Sequence, residues 1–444
     1  MEEFFNYLFI TLYLGFTNWL VVVLVIWSLL WKIVVSWKAA RNDHKVWFVA
    51  LLLAPTLGLL EIVYLLYYST ISKRMKLLSF ALLLVAIFAI LSFFGGADQQ
   101  LIVDSPLSGA PYELQGTSVP KRDRVLGIDV NMAEDSDYDK AFGLAQSLGS
   151  EVTSLSMNWK DIETAPEKYE DPGGNLAIAN IYYPQKSKLA LYIRAVDTAS
   201  KMAPPDLETV PFTDRKVAER YLKMIDWVFT QIPDAELLFL SVGDEIDLMM
   251  GGDKKLYQEF GIFLKTVREE LKKKRPDLTV GFTATLFGLT ERVPEELHAL
   301  NQYSDVVLVS YYPVAENGGM KEPSAVAPDY EALIKKYPNR TIYIEQTGYP
   351  TSPFLGSSEA KQREFIRETF RAWDMHALQI KYISFAWLTD LPQTSLDAYK
   401  EYYGTTDKTL LEFLRTLGFR TYPGSGQDKE AFRAIQAEAK ARGW

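Results

Sequence analysis

From residue 122 to the C-terminus, short apolar runs rich in β-branched and aromatic residues alternate with stretches of helical periodicity. This alternation constrains the fold more than any other feature of the chain. The clearest helical stretches are 214–232, 256–274 and 359–373. The predicted strands are 124–130, 151–159, 188–197, 236–245, 278–286, 305–313, 341–350 and 380–390.

Eight strand-then-helix units within about 300 residues predict a (β/α)8 TIM barrel, an α/β fold, over residues 122–444. The predicted strands are apolar along most of their length, as expected for strands covered on both faces. A doubly wound open sheet is the structural alternative. The eight repeats and the lack of a glycine-rich phosphate turn after the first predicted strand argue against that alternative.

The N-terminal part, residues 1–95, is predicted to be an all-α transmembrane region with about three helices. The stretches 19–35, 46–68 and 77–94 are apolar over about the 20 residues that a helix needs to cross a bilayer. Residues 4–16 extend the first span, form a separate short helix at the membrane interface, or enter and leave the membrane from one side. A cleaved signal peptide is the alternative, but the acidic start Met-Glu-Glu and the further apolar spans argue against it.

Two features of the membrane region leave questions open. Glu61 within the second span is functional, or it is a polar residue that packs inside the helical hairpin or snorkels to one interface. The stretch 19–68, with the loop Trp-Lys-Ala-Ala-Arg-Asn-Asp-His-Lys, resembles small two-helix membrane modules of bacterial proteins. Residues 96–121 are rich in Pro, Gly and Ser and are predicted to be a linker to the barrel.

Composition excludes several classes of function. The net charge is −9, and the seven Lys or Arg against four Asp or Glu in residues 1–76 leave −12 for the rest, which argues against a nucleic-acid partner. The chain has no cysteine, so disulfides and thiolate metal sites are excluded. None of His44, His298 and His376 lies at a predicted strand end, which argues against Ser-His-Asp catalysis and His-ligated zinc. We expect no cofactor.

The predicted strand ends carry acidic and aromatic residues, and barrel enzymes place their chemistry at the carboxyl ends of the strands. Glu245 ends the fourth predicted strand and Glu345 lies at the end of the seventh. Cleavage of a glycosidic bond needs two carboxyl groups that flank it. We therefore expect these two glutamates to face each other across a common sugar pocket.

The motifs around the two glutamates resemble those of the clan A retaining glycoside hydrolases, in particular endo-β-1,4-galactanases and plant-type β-1,3-glucanases. They are Val-Gly-Asp-Glu, Ile-Glu-Gln-Thr-Gly-Tyr-Pro, Val-Ser-Tyr-Tyr-Pro and Phe-Ala-Trp. The resemblance implies that Glu245 is the acid/base and Glu345 the nucleophile, with retention of anomeric configuration. It also implies that Tyr311 or Tyr312 contacts the nucleophile or lines the sugar site, and that Trp387 stacks on the sugar.

Other residues at the predicted strand ends are candidates for substrate binding. Trp159 and Tyr349 are interpreted as further aromatic platforms, since aromatic rings suit the apolar faces of sugars. Asp129 and Arg194 end the first and third predicted strands.

Asp244 departs from these families, which usually have Asn before the acid/base, where it donates to the sugar 2-hydroxyl. An ionised carboxylate only accepts hydrogen bonds. Three consequences are open: a like charge that raises the pKa of Glu245, a substrate that presents a donor at this place, or loss of activity.

The leading hypothesis is a membrane-anchored retaining β-glycoside hydrolase that acts on a polysaccharide or oligosaccharide outside the cytoplasm. The positive-inside rule favours this orientation for residues 73–76 but not for the basic residues of the loop 36–45. Alternatives are a transglycosylase with the same site, a catalytically silent carbohydrate-binding barrel, and a Mg²⁺ site formed by Asp244, Glu245 and Asp247. The sugar, the linkage and the oligomeric state stay open.

Overall fold

The computed structural model describes residues 117–182, 187–315, 317–422 and 426–444, together with positions 35, 41, 112 and 114. The chain divides into two units, Met1–Ser108 and Gly109–Trp444. Apart from Val35, the predicted membrane spans lie outside the described residues, as do residues 4–16 and Glu61. Within the described part, no helix is both long enough and apolar enough to cross a bilayer. The membrane region and the domain bounds stay predictions.

Eight parallel strands form a closed barrel in the described part of the second unit. They are β1 Val125–Ile128, β2 Val152–Asn158, β3 Lys188–Arg194, β4 Leu237–Ser241, β5 with the segments Val280–Gly281 and Thr283–Thr285, β6 Val307–Tyr311, β7 Ile342–Thr347 and β8 Ile380–Phe385. The first segment of β5 pairs with β4 and the second with β6, so the two ends of the sheet meet in one strand. The predicted (β/α)8 barrel is confirmed.

Helices follow the strands and cover the outside of the barrel. They are α1 Tyr138–Ser147, α2 Trp159–Ile162, α3 Asn175–Tyr182, α4 Arg215–Gln231, α5 Ile246–Met250, α6 Lys254–Lys274, α7 Pro294–Asn301, α8 Val326–Lys336, α9 Glu359–Met375, α10 Gln393–Tyr403, α11 Lys408–Arg415 and α12 Glu430–Arg442. Two short antiparallel hairpins extend the mouth, Glu163–Ala165 with Lys168–Tyr169 and Val196–Asp197 with Ser200–Lys201.

The three clearest periodic stretches form the helices α4, α6 and α9. Each begins after a residue that accepts hydrogen bonds from the first free amide groups of the helix. The side chain of Asp214 accepts a hydrogen bond from the amide of Lys216, and that of Ser358 accepts one from the amide of Lys361. The side chain of Asp253 accepts from the amides of Lys255 and Leu256. Such caps contribute about 1 kcal/mol each, which fixes where these helices begin.

The inside of the barrel is filled by aromatic side chains below the mouth. The ring of Phe239 on β4 lies 5.3 Å from that of Tyr192 and 6.0 Å from that of Tyr382. All three side chains are buried. This layer closes the barrel from below, so a pocket in the barrel opens toward the carboxyl ends of the strands.

Candidate active site

Glu245 lies in the turn that leaves β4, and an unusual backbone conformation positions it. Its φ is 41° and its ψ is 45°, in the left-handed region that residues other than glycine rarely adopt. Strain of this kind is concentrated at functional sites. The carboxyl group accepts hydrogen bonds from the hydroxyls of Ser310 at 2.6 Å and Thr198 at 3.2 Å. Burial, then the negative charge of Asp244, raises the pKa of Glu245 to about 8.

Glu345 lies on β7 at a β-bulge. Val309 of β6 pairs with Ile344 and Ser310 pairs with Gln346, so Glu345 is the extra residue. A bulge bends the strand and redirects the side chain. The carboxyl group is 1% exposed, and Oε2 accepts a hydrogen bond from the hydroxyl of Tyr192 at 2.5 Å. Oε1 has no hydrogen-bond partner among the described residues.

The structure brings Glu245 and Glu345 to the same end of the barrel. Ser310 on β6 donates to Glu245, and the partner of Ser310 in the neighbouring strand is Gln346, the residue that follows Glu345. Burial, then the negative charge of Asp244, raises the pKa of Glu345 well above its usual range, and the charge of Glu245 adds to the effect. The two carboxyl groups therefore interact.

Asp244 and Arg194 form an ion-pair cluster with Asp197 beside the two glutamates. The guanidinium of Arg194 lies 3.3 Å from Asp197 and 3.7 Å from Asp244. Asp197 also accepts a hydrogen bond from the hydroxyl of Tyr402 on α10. Burial raises the pKa of Asp244 to about 6, although the positive charge of Arg194 lowers it.

Tyr312 lies among the carboxyl groups and is half-buried. Its hydroxyl is 3.4 Å from the amide oxygen of Gln346. Burial, followed by the negative charges of Glu245 and Glu345, raises the pKa of Tyr312 well above its usual range, and Asp129 and Asp244 contribute to the same effect. Of the two tyrosines predicted on β6, Tyr312 is the one at the site.

Asp129 and Trp387 form another side of the mouth. Burial raises the pKa of Asp129 to about 6, and a hydrogen bond from the side chain of Trp387 opposes this rise. The ring of Trp387 stacks against Tyr399 of α10 at 6.1 Å, and Tyr399 stacks against Tyr403 at 6.0 Å. The Ala386–Trp387 peptide bond is cis. The half-buried Trp387 thus presents an aromatic surface beside a carboxyl group.

Three predicted substrate-binding residues do not lie at the mouth. Trp159 is fully buried and donates from Nε1 to Glu163, and Tyr349 is fully buried with its hydroxyl on the carbonyl of Lys321. Tyr311 is also buried, and its hydroxyl donates to Asp329 of α8 at 2.9 Å. Their rings pack between the strands and the outer helices, so these interpretations as sugar-contacting residues are wrong.

Several residues at the site were missed because they resemble core residues in sequence. Tyr192 lies within β3, two positions before Arg194, and Ser310 lies within β6, two positions before Tyr312, which directly follows that strand. Residues two apart on a strand share a face. The period-two pattern of a strand therefore indicated that Tyr192 and Ser310 share a face with the predicted site residues Arg194 and Tyr312. The tyrosines of α10 follow no strand end and gave no such signal.

The proposed magnesium ligands do not converge. The carboxyl group of Asp247 is fully buried and accepts hydrogen bonds from the amide and the hydroxyl of Thr285 at 2.9 and 2.7 Å. Those of Asp244 and Glu245 bind Arg194 and Ser310 instead. Among the described residues, no group of three acidic or histidine side chains has the arrangement of a metal site. The Mg²⁺ hypothesis is therefore not retained.

Solved structures share the fold of the described barrel. An exo-β-1,4-mannosidase from Opitutaceae bacterium strain TAV5 aligns at 13% identity and a TM-score of 0.54, over 74% of this chain and 62% of that one. The chain thus spans less than two thirds of the length of this relative. A GH5_18 protein from Bifidobacterium longum subsp. longum ATCC 55813 aligns at 13% identity and a TM-score of 0.55, over 72% of this chain and 79% of that one.

A further structure, GH5_18 from Streptomyces cattleya in complex with GlcNAc, aligns at 14% identity and a TM-score of 0.54, over 73% of this chain and 80% of that one. At such identities the similarity establishes the fold alone. Residues 7–76 match a family of unknown function, DUF5652. A sequence comparison with curated proteins gives no match.

Proposed function

We propose that the barrel is a retaining β-glycoside hydrolase that acts on a polysaccharide or oligosaccharide. The observation that carries this proposal is the interaction of Glu245 and Glu345 at the carboxyl ends of β4 and β7. Hydroxyl groups from other strands of the barrel hold each of them, Ser310 of β6 on Glu245 and Tyr192 of β3 on Glu345. Two interacting carboxyl groups at a barrel mouth provide the proton donor and the nucleophile that cleavage of a glycosidic bond needs. Solved glycoside hydrolases with the same fold agree with this function.

The reaction follows two displacements. In the first, the ionised carboxylate of Glu345 attacks the anomeric carbon, the bond to the leaving oxygen breaks, and that oxygen takes the proton of Glu245. In the second, Glu245 removes a proton from a water molecule as its oxygen attacks the anomeric carbon. The ester to Glu345 breaks and its carboxylate is released. Each displacement inverts the anomeric carbon, so the product retains the β configuration.

The surroundings of the two carboxyl groups support this assignment of roles. Glu245 is half-buried, so a water molecule and a leaving group have access to it. Glu345 is 1% exposed, which suits a residue that forms an ester shielded from solvent. The nucleophile must be ionised, and the hydrogen bond from Tyr192 lowers the pKa of Glu345 against the larger rise that burial and the charge of Asp244 cause.

We also propose that the N-terminal region anchors the enzyme in the cell membrane, with the barrel outside the cytoplasm. The three apolar stretches of residues 1–95 support this proposal. The full chain is then expected to stay in the membrane fraction after extraction with alkaline carbonate. Its release into the soluble fraction would contradict the proposed anchor.

The test of the hydrolase is an assay of the full chain against a panel of β-linked oligosaccharides and aryl β-glycosides. The panel includes β-1,4-mannosides because a mannosidase shares the fold. We expect cleavage of at least one member and loss of most turnover in Glu345→Ala. Azide, a small external nucleophile, partly restores cleavage in this variant by replacing the missing carboxylate. Unchanged turnover in Glu345→Ala would reject the proposal.

Two further outcomes separate the related functions. Transfer of the sugar to an acceptor glycan, measured at high acceptor concentration, identifies a transglycosylase that uses the same two glutamates. Glycan binding without any product identifies a carbohydrate-binding barrel that is catalytically silent.

A further inference from the structure

The pocket around the two glutamates contains an excess of negative charge. Asp129, Asp197 and Asp244 lie beside the glutamate pair, and the charges of Asp129 and Asp244 act on the same tyrosine as those of the pair. Among the described residues, Arg194 is the only cation that forms a salt bridge with any of these aspartates. One guanidinium does not offset three aspartates. A neutral sugar leaves this imbalance in place.

One carboxylate oxygen of Asp244 lacks a well-formed hydrogen bond within the described part of the chain, since the backbone amide of Glu245 has only a minor effect on the pKa of the group. Asp244 is 6% exposed, and its Oδ2 atom lies 3.7 Å from the guanidinium of Arg194. Its Oδ1 atom is buried and has no hydrogen-bond partner among the described residues. In contrast, both carboxylate oxygens of Asp197 accept hydrogen bonds. Burial of an unpaired carboxylate oxygen is costly, and a bound donor removes that cost.

Asp244 lies close to the place that the anomeric carbon of a bound sugar would occupy. Asp244 directly precedes Glu245, and its charge is the main electrostatic contribution to the raised pKa of both glutamates. Groups near both carboxyls lie near the anomeric carbon of a substrate. Of the groups next to that carbon, the substituent at C2 is the one that can carry a hydrogen-bond donor, and we infer that it is the one that Asp244 contacts.

We propose, on the basis of the hydrolase function above, that the sugar in this pocket carries a free protonated amine at C2, and that the Asp244 carboxylate binds this ammonium group. The substrate class is thus a β-glycoside of a 2-amino-2-deoxyhexose that is not acetylated. An ammonium group supplies three donors and a positive charge. It satisfies Oδ1 of Asp244 and reduces the excess negative charge in the same step.

A neutral substituent at C2 can donate a hydrogen bond to Asp244 but cannot offset the negative charge of the pocket. A 2-hydroxyl group donates one hydrogen bond and leaves the charge unchanged. An acetamido group also donates one hydrogen bond, without positive charge and with extra bulk. Hydrogen bonds between charged partners are about twice as strong as those between neutral ones. We expect a preference of at least about tenfold for the amine over the hydroxyl in kcat/KM.

The test compares matched aryl β-glycosides that differ only at C2, with amino, hydroxyl and acetamido groups in the gluco, galacto and manno series. The full chain is assayed at about pH 6, because the neighbouring oxygens of the sugar make a 2-amino group less basic than an α-amino group. The amino compound is expected to give a kcat/KM at least about tenfold higher than its hydroxyl and acetamido counterparts. In Asp244→Asn, which removes the charge and keeps the shape, that ratio is expected to fall toward one.

Asp226→Asn is the matched control because Asp226 is partly exposed on α4, where it pairs with Lys274. This variant should keep the full preference for the amine. An equal or better rate on hydroxyl or acetamido compounds in the parent chain would overturn the inference and leave the hydrolase function intact. A preference that Asp244→Asn retains would overturn it as well.

Failure to cleave any compound rejects the hydrolase function, and the inference is then decided by binding. Calorimetry on the same chain compares glucosamine with glucose. Tighter binding of glucosamine that is lost in Asp244→Asn supports the amine site. Equal binding of the two sugars, or binding of neither, overturns it.

Discussion

Glu245 retains its proton to unusually high pH because partial burial of its carboxyl group and the nearby charge of Asp244 raise its pKa. A proton donor must be protonated, so kcat/KM is expected to fall as the pH rises through about 8, the pKa of Glu245. Asp244→Asn removes a negative charge, which lowers the pKa of Glu245 and moves this alkaline limb to lower pH. A pH profile of both proteins measures the shift. An alkaline limb that does not move would show that the charge of Asp244 does not control Glu245.

Tyr192 acts on Glu345 in the opposite direction, because its hydrogen bond favours the ionised carboxylate and lowers the pKa of Glu345. In Tyr192→Phe we expect the acid limb of the profile to move to higher pH. We also expect kcat to fall by about 10- to 100-fold, the effect of losing one hydrogen bond to a charged group. Tyr221→Phe is the control, since its hydroxyl donates to the carbonyl of Ile193 and not to a carboxylate. Equal shifts in both variants would contradict a specific role of Tyr192.

At this scale, the sequence predicted the acids better than the aromatics. Glu245 and Glu345 were found because a carboxylate at the end of an apolar strand has few structural explanations. Trp159 and Tyr349 follow strands in the same way, but the turn after each strand directs the ring into the outer layer, and that direction depends on packing. A tyrosine satisfies its hydroxyl as readily against a backbone carbonyl as in a sugar pocket.

At the scale of elements, the turn after β4 determines where Glu245 points. A Cβ atom added to Gly243 would lie 2.8 Å from Cγ2 of the buried Ile246, so no larger residue fits without displacing the start of α5. We expect Gly243→Ala to lower the free energy of unfolding by about 1–3 kcal/mol. It should also lower kcat/KM by more than tenfold by moving Glu245, because small displacements of catalytic groups cost about that much or more.

The matched control is Gly143→Ala on α1, where an added Cβ meets nothing within 4 Å. That variant should raise the free energy of unfolding by about 0.5–1 kcal/mol and leave kcat/KM unchanged. Denaturant unfolding and steady-state kinetics measure both effects. Full activity in Gly243→Ala would show that the turn does not position the acid.

Most elements of the barrel could be predicted, since apolar runs and helical periodicity are local properties. The strands were shorter than predicted because their polar ends belong to turns; the prediction 236–245 became Leu237–Ser241. The bulge at Glu345 was not predicted. It arises from the register between β6 and β7, which depends on contacts between strands distant in sequence. Helix α10, which lines the mouth, was also missed.

At the scale of the whole molecule, a buried ion-pair network joins the start of the barrel to its last helix. Asp374 of α9 accepts hydrogen bonds from Arg124, before β1, at 2.8 Å and from Arg442 of α12 at 2.7 Å. The side chains of both arginines are at most 5% exposed. Removing the carboxylate leaves two buried positive charges with fewer partners.

Asp374→Ala is therefore expected to lower the free energy of unfolding by about 3–5 kcal/mol. Because Arg124 directly precedes β1, at the end of the barrel opposite to the glutamate pair, the folded fraction should keep its kcat/KM. Asp226→Asn, which breaks a partly exposed pair, should lower the free energy of unfolding by less than about 1 kcal/mol. Denaturant titration compares the two. Equal small losses would show that the network does not hold the barrel closed.

The central claim is that Glu245 and Glu345 cleave a β-glycosidic bond together by two successive displacements. The most direct measurement is the anomeric configuration of the first product, followed by NMR before the sugar equilibrates in solution. The account predicts that the β-anomer appears first. First appearance of the α-anomer, which a single displacement by water produces, would contradict it.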